Sequence, residues 1–168
     1  MTASSDQKFT FFWQDQSPFS NFHPSPFRVD NNQFSCNEQF MMYSKAKLFG
    51  DDEAAEKILA ETKPKSMKAL GRKVKNFDND VWIQNRERIV KQGLREKFGQ
   101  NAHLMDELMR TGDTELAEAS PFDRIWGIGM AATNPAAQDK SQWKGLNLLG
   151  KLLTEVRDEL RNNQKMST

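Results

Sequence analysis

The chain has 168 residues, a length that suits one domain with a buried core. Its 24 basic and 23 acidic residues give a net charge of +1, so no bulk attraction to nucleic acid or to a membrane is expected. The single cysteine, Cys36, excludes an internal disulfide, and the two histidines lie far apart, so no metal or other cofactor is predicted. Without an apolar run of membrane-spanning length or a recognisable signal peptide, a cytoplasmic protein without membrane contact is expected.

The N-terminal third is predicted to form a small β-sheet. Residues 1–8 form a polar, flexible tail, and the aromatic segment Phe9–Trp13 is typical of a short buried strand. Phe27–Val29 and Gln33–Cys36 flank a polar turn whose residues tolerate positive φ, which predicts a hairpin. The prolines of Gln16–Phe27 exclude a helix there and indicate a shaped loop.

The rest of the chain is predicted to be mostly helical, which gives a mainly α (α+β) fold: one compact helical domain over residues 9–163, with a small N-terminal sheet and a C-terminal tail at 164–168. The segment Glu115–Ala119 is a possible strand, and Ala131–Gln142, which lacks any period, is predicted to be a flexible lid or linker. The expected helices follow the Ser35 turn up to Gly50, run from the acids at 51–53 to Ala60, start at Thr62–Pro64, run from an Asp78 or Asp80 cap to Lys97, and cover Ala102–Arg110 and Leu146–Asn162.

The first of these helices places an acid and an amine on one apolar face. At about 100° per residue, Glu38 and Lys45 share that face with two methionines and Phe49. Charged groups on a buried face are costly unless they are paired or used, so the pair indicates a functional site. Two structural alternatives remain: Ser35-x-x-Glu38 also fits a capping box, and Lys45 could extend its ammonium to the surface.

The densest basic cluster follows in the third helix. Arg72 is the candidate for a phosphate contact in this cluster. The alternative is a solvated cationic face with no ligand. The cluster surrounds Leu70-Gly71 and consists of Lys65, Lys68, Arg72, Lys73 and Lys75.

Four segments along the chain form an ordered set of motifs. Each is weak alone, but together, over roughly residues 9–160, they resemble the NADAR superfamily, which includes the YbiA-like N-glycosidases. The segments are Ser20-Asn-Phe22 with Ser25-Pro-Phe27, then Asn37-Glu38-Gln-Phe-Met with Lys45-Ala46, then Thr111-Gly-Asp-x-Glu-Leu-x-Glu118, and finally Asp123-x-x-Trp126-Gly-Ile-Gly129 with Trp143-x-Gly-x-Asn147-Leu-Leu-Gly150.

The resemblance implies a compact, mainly helical fold and hydrolysis of an N-glycosidic bond between ribose and a base-like nitrogen. Two substrate kinds are implied: ribosylaminopyrimidine phosphates of riboflavin synthesis, and ADP-ribose attached to guanine in nucleic acid. The riboflavin-linked pattern has histidine after the glutamate, whereas Gln39 follows Glu38 here, and a longer insertion separates Trp126 from Trp143. The chain therefore resembles more closely the members that act on ADP-ribosylated guanine, with ADP-ribosylated nucleic acid or a small nucleotide-like substrate as partner and a monomer as the expected state.

Breaking a ribosyl C–N bond requires charge support at the anomeric carbon and a proton for the leaving base, which glycosidases supply with carboxyl groups. Glu38 and Asp123 are the predicted catalytic pair, with Glu118 in reserve beside the substrate. Lys45 is either a nucleophile that forms a Schiff base with the ribose or a charged clamp for phosphate. Asp123 alternatively only shapes its turn.

The remaining candidates would bind substrate. Trp126, followed by Gly127, is predicted to stack on a base, with ordinary core packing as the alternative. Asn21 and Asn147 are candidates for ribose hydroxyls. A rival class, a non-catalytic reader of ADP-ribose, would keep the Trp126 contact but would have no need of a buried acid and amine.

Overall fold

The computed structural model describes residues 8–167, so the predicted N-terminal tail lies, apart from exposed Lys8, outside the described residues. The chain divides into two compact units: the central unit, Asn21–Leu104, and the split unit, which combines the residues up to Ser20 with those from Met105 onward. Within the described residues the regular elements, in chain order, are β1 (Phe9–Phe12), β2 (Phe27–Val29), β3 (Asn32–Phe34), α1 (Asn37–Leu48), α2 (Asp52–Ala60), α3 (Pro64–Gly71), α4 (Asn79–Gly99), α5 (Ala102–Met109), β4 (Glu115–Glu118) and α6 (Leu148–Met166).

In the central unit, the predicted hairpin is confirmed. Strands β2 and β3 pair antiparallel, with Phe27 opposite Phe34, and Asp30 in the turn takes a φ of +53°. Both phenylalanine rings pack on Phe40 of α1, with ring centroids 5.8 and 5.2 Å apart. The hairpin is thus anchored to α1 by aromatic contacts.

Helix α1 lies at the centre of this unit, and α2, α3 and α4 all pack against it. Its first six residues, Asn37–Met42, are buried, as predicted for a helix that is apolar on most sides. Glycines permit the close approach of its neighbours: a side chain at Gly71 of α3 would collide with Met42, and one at Gly93 of α4 would collide with Asn37. Gly50, with a φ of +73°, follows the C-cap of α1, also as predicted.

In the split unit, β1 pairs with β4 and not with the N-terminal hairpin, which corrects the expectation of a single N-terminal sheet. The two strands are parallel, with Phe9 opposite Glu115 and Phe12 opposite Glu118. Strand β1 therefore does not join the hairpin in an N-terminal sheet, whereas the possible strand at Glu115–Ala119 is confirmed. Helix α6 packs on β4, where a side chain at Gly150 would collide with the Leu116 carbonyl.

The structure also corrects the expectation of a flexible lid or linker at Ala131–Gln142. This segment contains two short 3₁₀-helices, Pro135–Gln138 and Lys140–Gln142, which Asn134 and Asp139 cap through their side chains. Ala137 is buried, and the indole of Trp143 donates to its carbonyl at 2.8 Å. Side-chain caps thus give order to a segment that has no hydrophobic period.

Helix α6 starts at Leu148 and continues to Met166, beyond the predicted end at Asn162, so three residues of the predicted C-terminal tail are helical. In the described part of the chain, no helix combines the length and the apolar character needed to cross a bilayer.

Candidate functional site

The start of α1 is organised by amides, and Glu38 is not its capping group. The N-cap Cys36 makes no side-chain cap bond, and the amide of Ser35 donates to Gln39 at 2.7 Å. The capping-box alternative for Glu38 is therefore wrong, because Gln39 accepts the bond that a capping box would assign to it. Glu38 itself is 4% exposed, and its backbone amide donates to the carbonyl of Asn21 at 2.9 Å.

Two buried amides fix this helix start. The Asn37 side chain donates to the side-chain carbonyl of Asn21 at 2.9 Å, and the Gln39 side chain donates to the carbonyl of Ile58 at 3.0 Å. Asn21 thus positions the helix that carries Glu38, and the predicted ribose contact of Asn21 stays a prediction. Sequence reasoning missed Asn37 and Gln39, although two amides at the start of a buried helix are a signal for such bonding.

Lys45 lies against two aromatic rings. Its Nζ is 4.6 Å from the ring centroid of Phe77 and 5.5 Å from that of Trp82. Phe49, predicted to wall this face, contacts the Phe77 ring at 5.4 Å. The half-buried amine thus lies over ring faces, one of which, Phe77, is itself exposed, and the surface alternative for Lys45 stays open. Sequence analysis did not identify Phe77, which precedes α4 in the chain.

The electrostatic surroundings of Lys45 favour a reactive amine. Burial lowers the pKa of Lys45, the charge of Glu38 opposes this, and the charge of Arg72 lowers the pKa further. The net direction is below the ordinary value for lysine. The aromatic faces attract the charged form, so they hold the ammonium in place while burial favours its loss of a proton.

Arg72 lies close enough to Lys45 to influence its charge. It is exposed, as are the other four members of the predicted basic cluster. Within residues 8–167 its guanidinium donates no hydrogen bond to another side chain or carbonyl, which leaves its donors available to an anion such as phosphate. The phosphate contact of Arg72 stays a prediction.

In the split unit, Asp123 shapes a turn. Its Oδ1 accepts hydrogen bonds from the amides of Ile125 at 2.9 Å and Trp126 at 2.8 Å. Its own amide donates to the Ser120 hydroxyl at 3.1 Å. The turn-forming alternative for Asp123 is therefore confirmed, and its catalytic role stays a prediction that depends on the second carboxylate oxygen.

The turn positions Trp126 and Gly127. The Trp126 ring is half-buried and, among the described residues, contacts no other aromatic ring; its predicted stacking on a base stays a prediction. Gly127 is buried, and a side chain there would meet the carbonyls of Asp123 and Glu118, both at 2.9 Å. Close packing explains this glycine, and its predicted substrate contact is untested.

Asn147 and Glu118 are joined through the backbone of β4. The buried Asn147 amide accepts from the amide of Glu118 and donates to the carbonyl of Leu116, both at 3.0 Å. Asn147 also adopts a φ of +51° at the N-cap of α6. These two bonds give Asn147 a structural role in holding β4, and its predicted contact with a ribose hydroxyl stays a prediction. Glu118 has one carboxylate oxygen buried.

The predicted residues therefore fall into two groups. In the central unit, Glu38, Lys45 and Arg72 interact electrostatically, and Asn21 supports their helix. In the split unit, Asp123, Trp126 and Gly127 share a turn. Across residues 8–167, the His, Cys, Asp and Glu side chains form no cluster of three that could hold a metal ion.

Comparison with known proteins finds relatives that align with most of this chain. The protein irg-1 of Caenorhabditis elegans is 39% identical, over 95% of this chain and 83% of its own length. N-glycosidase R617 of Acanthamoeba polyphaga mimivirus is 41% identical, over 84% and 86%. The riboflavin biosynthesis protein VVA0006 of Vibrio vulnificus is 30% identical over 94% of this chain, which spans 40% of that protein.

A structural comparison and a family comparison agree with these sequence matches. The NMR structure of the Escherichia coli protein YbiA matches with a TM-score of 0.77 and 27% identity, over 94% of this chain and 88% of that one. The mainly helical fold with a small β component is thus confirmed. The NADAR domain matches residues 11–161, nearly the whole sequence. The chain belongs to the NADAR family.

Proposed function

We propose that this protein is an N-glycosidase that removes ADP-ribose from ADP-ribosylated guanine in nucleic acid. The hydrolase class is supported by the family and by the relatives named N-glycosidases. The observation that carries the proposal is the pairing, on one helix, of a nearly inaccessible acid, Glu38, with Lys45, an amine of lowered pKa. A protein that only bound ADP-ribose would gain nothing from this costly pair.

The two residues can divide the chemistry. The neutral amine of Lys45 attacks C1 of the ribose, while the bond from C1 to the base breaks and its electrons leave with the base. This step requires Glu38 in its protonated form: it donates the proton that the leaving base takes up, and the resulting carboxylate then accepts the proton that the attacking nitrogen loses. The sugar ring opens to an imine, and water hydrolyses the imine to release ADP-ribose and restore the amine.

The choice of substrate rests on three features. Gln39 occupies the place of a histidine in the riboflavin-linked pattern, and here it bonds to Ser35 and the α2 backbone. The insertion between Trp126 and Trp143 is longer than in the riboflavin-linked pattern, which is consistent with a larger substrate. Arg72, whose charge reaches Lys45, suits the diphosphate of ADP-ribose.

The riboflavin-linked reaction is the second candidate, and the Vibrio relative named for riboflavin biosynthesis favours it. A single mass-spectrometric assay decides between the two. Equal concentrations of ADP-ribosyl-guanine DNA and of a ribosylaminopyrimidine phosphate are incubated with the protein, and free ADP-ribose and ribose phosphate are quantified. We expect ADP-ribose release to be much faster; the reverse ranking would overturn the substrate but keep the N-glycosidase class.

Glu38→Gln tests the chemical role of Glu38 with a side chain of matched size. The variant keeps the size of the side chain and loses the proton, so turnover should fall by roughly a hundredfold or more. Thermal unfolding verifies that the variant is folded. Wild-type rates in a folded Glu38→Gln protein would remove Glu38 from the mechanism, and full binding of ADP-ribose without any turnover by the wild-type protein would favour the reader.

A further inference from the structure

The split unit exposes an aromatic pair that the proposed chemistry does not use. Phe122 is 85% exposed and Trp13 is 40% exposed, and their ring centroids lie 6.0 Å apart. Ile125, three residues after Phe122, and Leu146 are exposed as well. A contiguous group of exposed, large apolar side chains often marks an interaction site.

Hydrogen bonds fix the turn that carries Phe122. The amide of Phe122 donates to the hydroxyl of buried Ser120 at 3.2 Å, and Asp123 closes the following turn. The amide of Leu146 donates to the carbonyl of Arg124 at 2.8 Å, which ties the next loop to the same turn. The Phe122 ring is therefore presented outward by a fixed turn, and little conformational entropy is lost when a ligand binds.

Two cations accompany the pair. Arg124 and Lys144 are exposed, and both lie within 3.3 Å of the position that a side chain at Gly129 would take. Neither side chain makes an ion pair with any residue in 8–167. Acidic groups on the same segments are Asp15 and Asp123, and the second already accepts two backbone hydrogen bonds. Flat rings beside uncommitted cations are the combination that binds unstacked bases and their phosphates.

We infer that Trp13 and Phe122 form a stacking site for a base of a single-stranded nucleic-acid substrate, with Arg124 and Lys144 at its phosphates. The inference rests on the proposed function, because the pair adjoins the turn that carries Asp123 and Trp126. Two rings and their neighbours form a surface much smaller than the roughly 800 Å² per partner of a stable protein interface. A single base, in contrast, fits one ring face.

The test compares two substrates that differ only in flanking nucleotides. ADP-ribosyl-guanosine has none, and an ADP-ribosylated single-stranded decanucleotide has several. Phe122→Ala should raise KM for the decanucleotide about tenfold, the scale expected when one base–aromatic stack is lost. Its kcat/KM for ADP-ribosyl-guanosine should not change. Trp13→Ala should act in the same direction, and Phe122→Trp should restore the wild-type KM.

Met166→Ala is the control, because Met166 is 86% exposed near the end of α6, away from the turn in sequence. An unchanged KM in Phe122→Ala and Trp13→Ala, or an equal loss on both substrates, would overturn the stacking site. If the wild-type protein cleaves neither substrate, the proposed function fails, and anisotropy with a labelled, unmodified decanucleotide tests the site alone. Weaker binding by Phe122→Ala then supports it; no binding, or binding of anionic lipid vesicles in its place, refutes it.

Discussion

Lys45 in the central unit and Asp123 in the split unit are both predicted catalytic residues, but the structure engages them differently. The Lys45 amine lies over the faces of two aromatic rings, and its pKa responds to the charges of Glu38 and Arg72. Asp123 accepts two backbone amides within its own turn. Ring faces leave an amine chemically available, whereas backbone amides occupy an oxygen that chemistry would need.

The difference teaches where a polar residue in a motif acts. Short side chains with oxygen or amide groups, such as Asp and Asn, compete with the backbone for hydrogen bonds and so often define a turn or a cap. A lysine has a long stem and cannot accept a bond from a backbone amide. A shared motif therefore indicates chemistry more directly at Lys45 than at Asp123 or Asn147.

The largest effect is expected at Lys45. Lys45→Arg keeps the charge but removes the nucleophile, so turnover should fall by roughly a hundredfold or more. Cyanoborohydride present during turnover should reduce the imine and attach the sugar to wild-type Lys45, which peptide mass spectrometry detects. Because the neutral amine reacts and its pKa is lowered, the acid limb of kcat/KM should lie below the ordinary lysine value. An active Lys45→Arg protein without an adduct would make Lys45 an electrostatic group.

The next largest effect is expected at Asn147, where substitution should lower the stability of the fold and not act on the catalytic step itself. Asn147→Ala leaves the Glu118 amide and the Leu116 carbonyl without their partner and replaces an asparagine, which tolerates positive φ, with an alanine, which tolerates it less; together these changes should cost roughly 2–4 kcal/mol of unfolding free energy. Asn147→Gly removes the same bonds without the backbone strain and should cost about 1 kcal/mol less. Urea unfolding measures both, with Asn162→Ala, at an exposed position of α6, as a surface control. Unchanged stability in both Asn147 variants would contradict the structural role.

Lys97 offers an internal comparison with Lys45, because burial lowers its pKa to about 7 while the Cys36 thiol opposes the shift. It is 0% exposed, so no ligand reaches it. The unfolded chain keeps its proton up to about pH 10.4, so the unfolding free energy should rise with pH above 7, by up to about 1.4 kcal/mol per unit. Lys97→Met should remove this slope, and the exposed Lys68→Met should keep it. A slope that persists in Lys97→Met would assign it to other groups.

The smallest effect is expected from Asp123→Asn. Asparagine retains an Oδ1 for the amides of Ile125 and Trp126, so the variant should keep most of its activity, whereas Asp123→Ala should lose activity together with stability. Steady-state kinetics and urea unfolding are measured on the same samples. If Asp123→Asn is as inactive as Lys45→Arg but fully stable, the second carboxylate oxygen acts in catalysis and the contrast between the two regions disappears.

The sequence predicts the helices well because local signals define them. Gly50 ends α1, Asp78 caps α4, and Pro64 opens α3 where the pattern places them. The pairing of β1 with β4 escapes prediction, because no local pattern tells a strand which distant partner it will meet. The ordered 3₁₀ turns after Ala131 escape for a related reason, since side-chain caps leave no hydrophobic period.

For the candidate site, helical periodicity brings Glu38 and Lys45 to one face, and the lowered pKa of Lys45 follows from that apolar face. Periodicity does not identify Phe77, because that ring arrives from the segment between α3 and α4. Nor does it reveal that the amide of Asn147 serves β4, a bond between residues about thirty positions apart. Contacts that depend on tertiary packing are those that sequence reasoning misses.

The parallel pairing of β1 and β4 has a consequence for the order of folding. The two strands are separated by more than ninety residues of intervening chain, and the central unit is continuous within that stretch. Closing so long a loop costs more entropy than the local contacts around α1, so the central unit should form first. Pulsed hydrogen exchange during refolding should protect amides of α1 and α4 before those of β1 and β4. Simultaneous protection would mean that the chain folds as one cooperative unit, despite the interrupted path of the split unit.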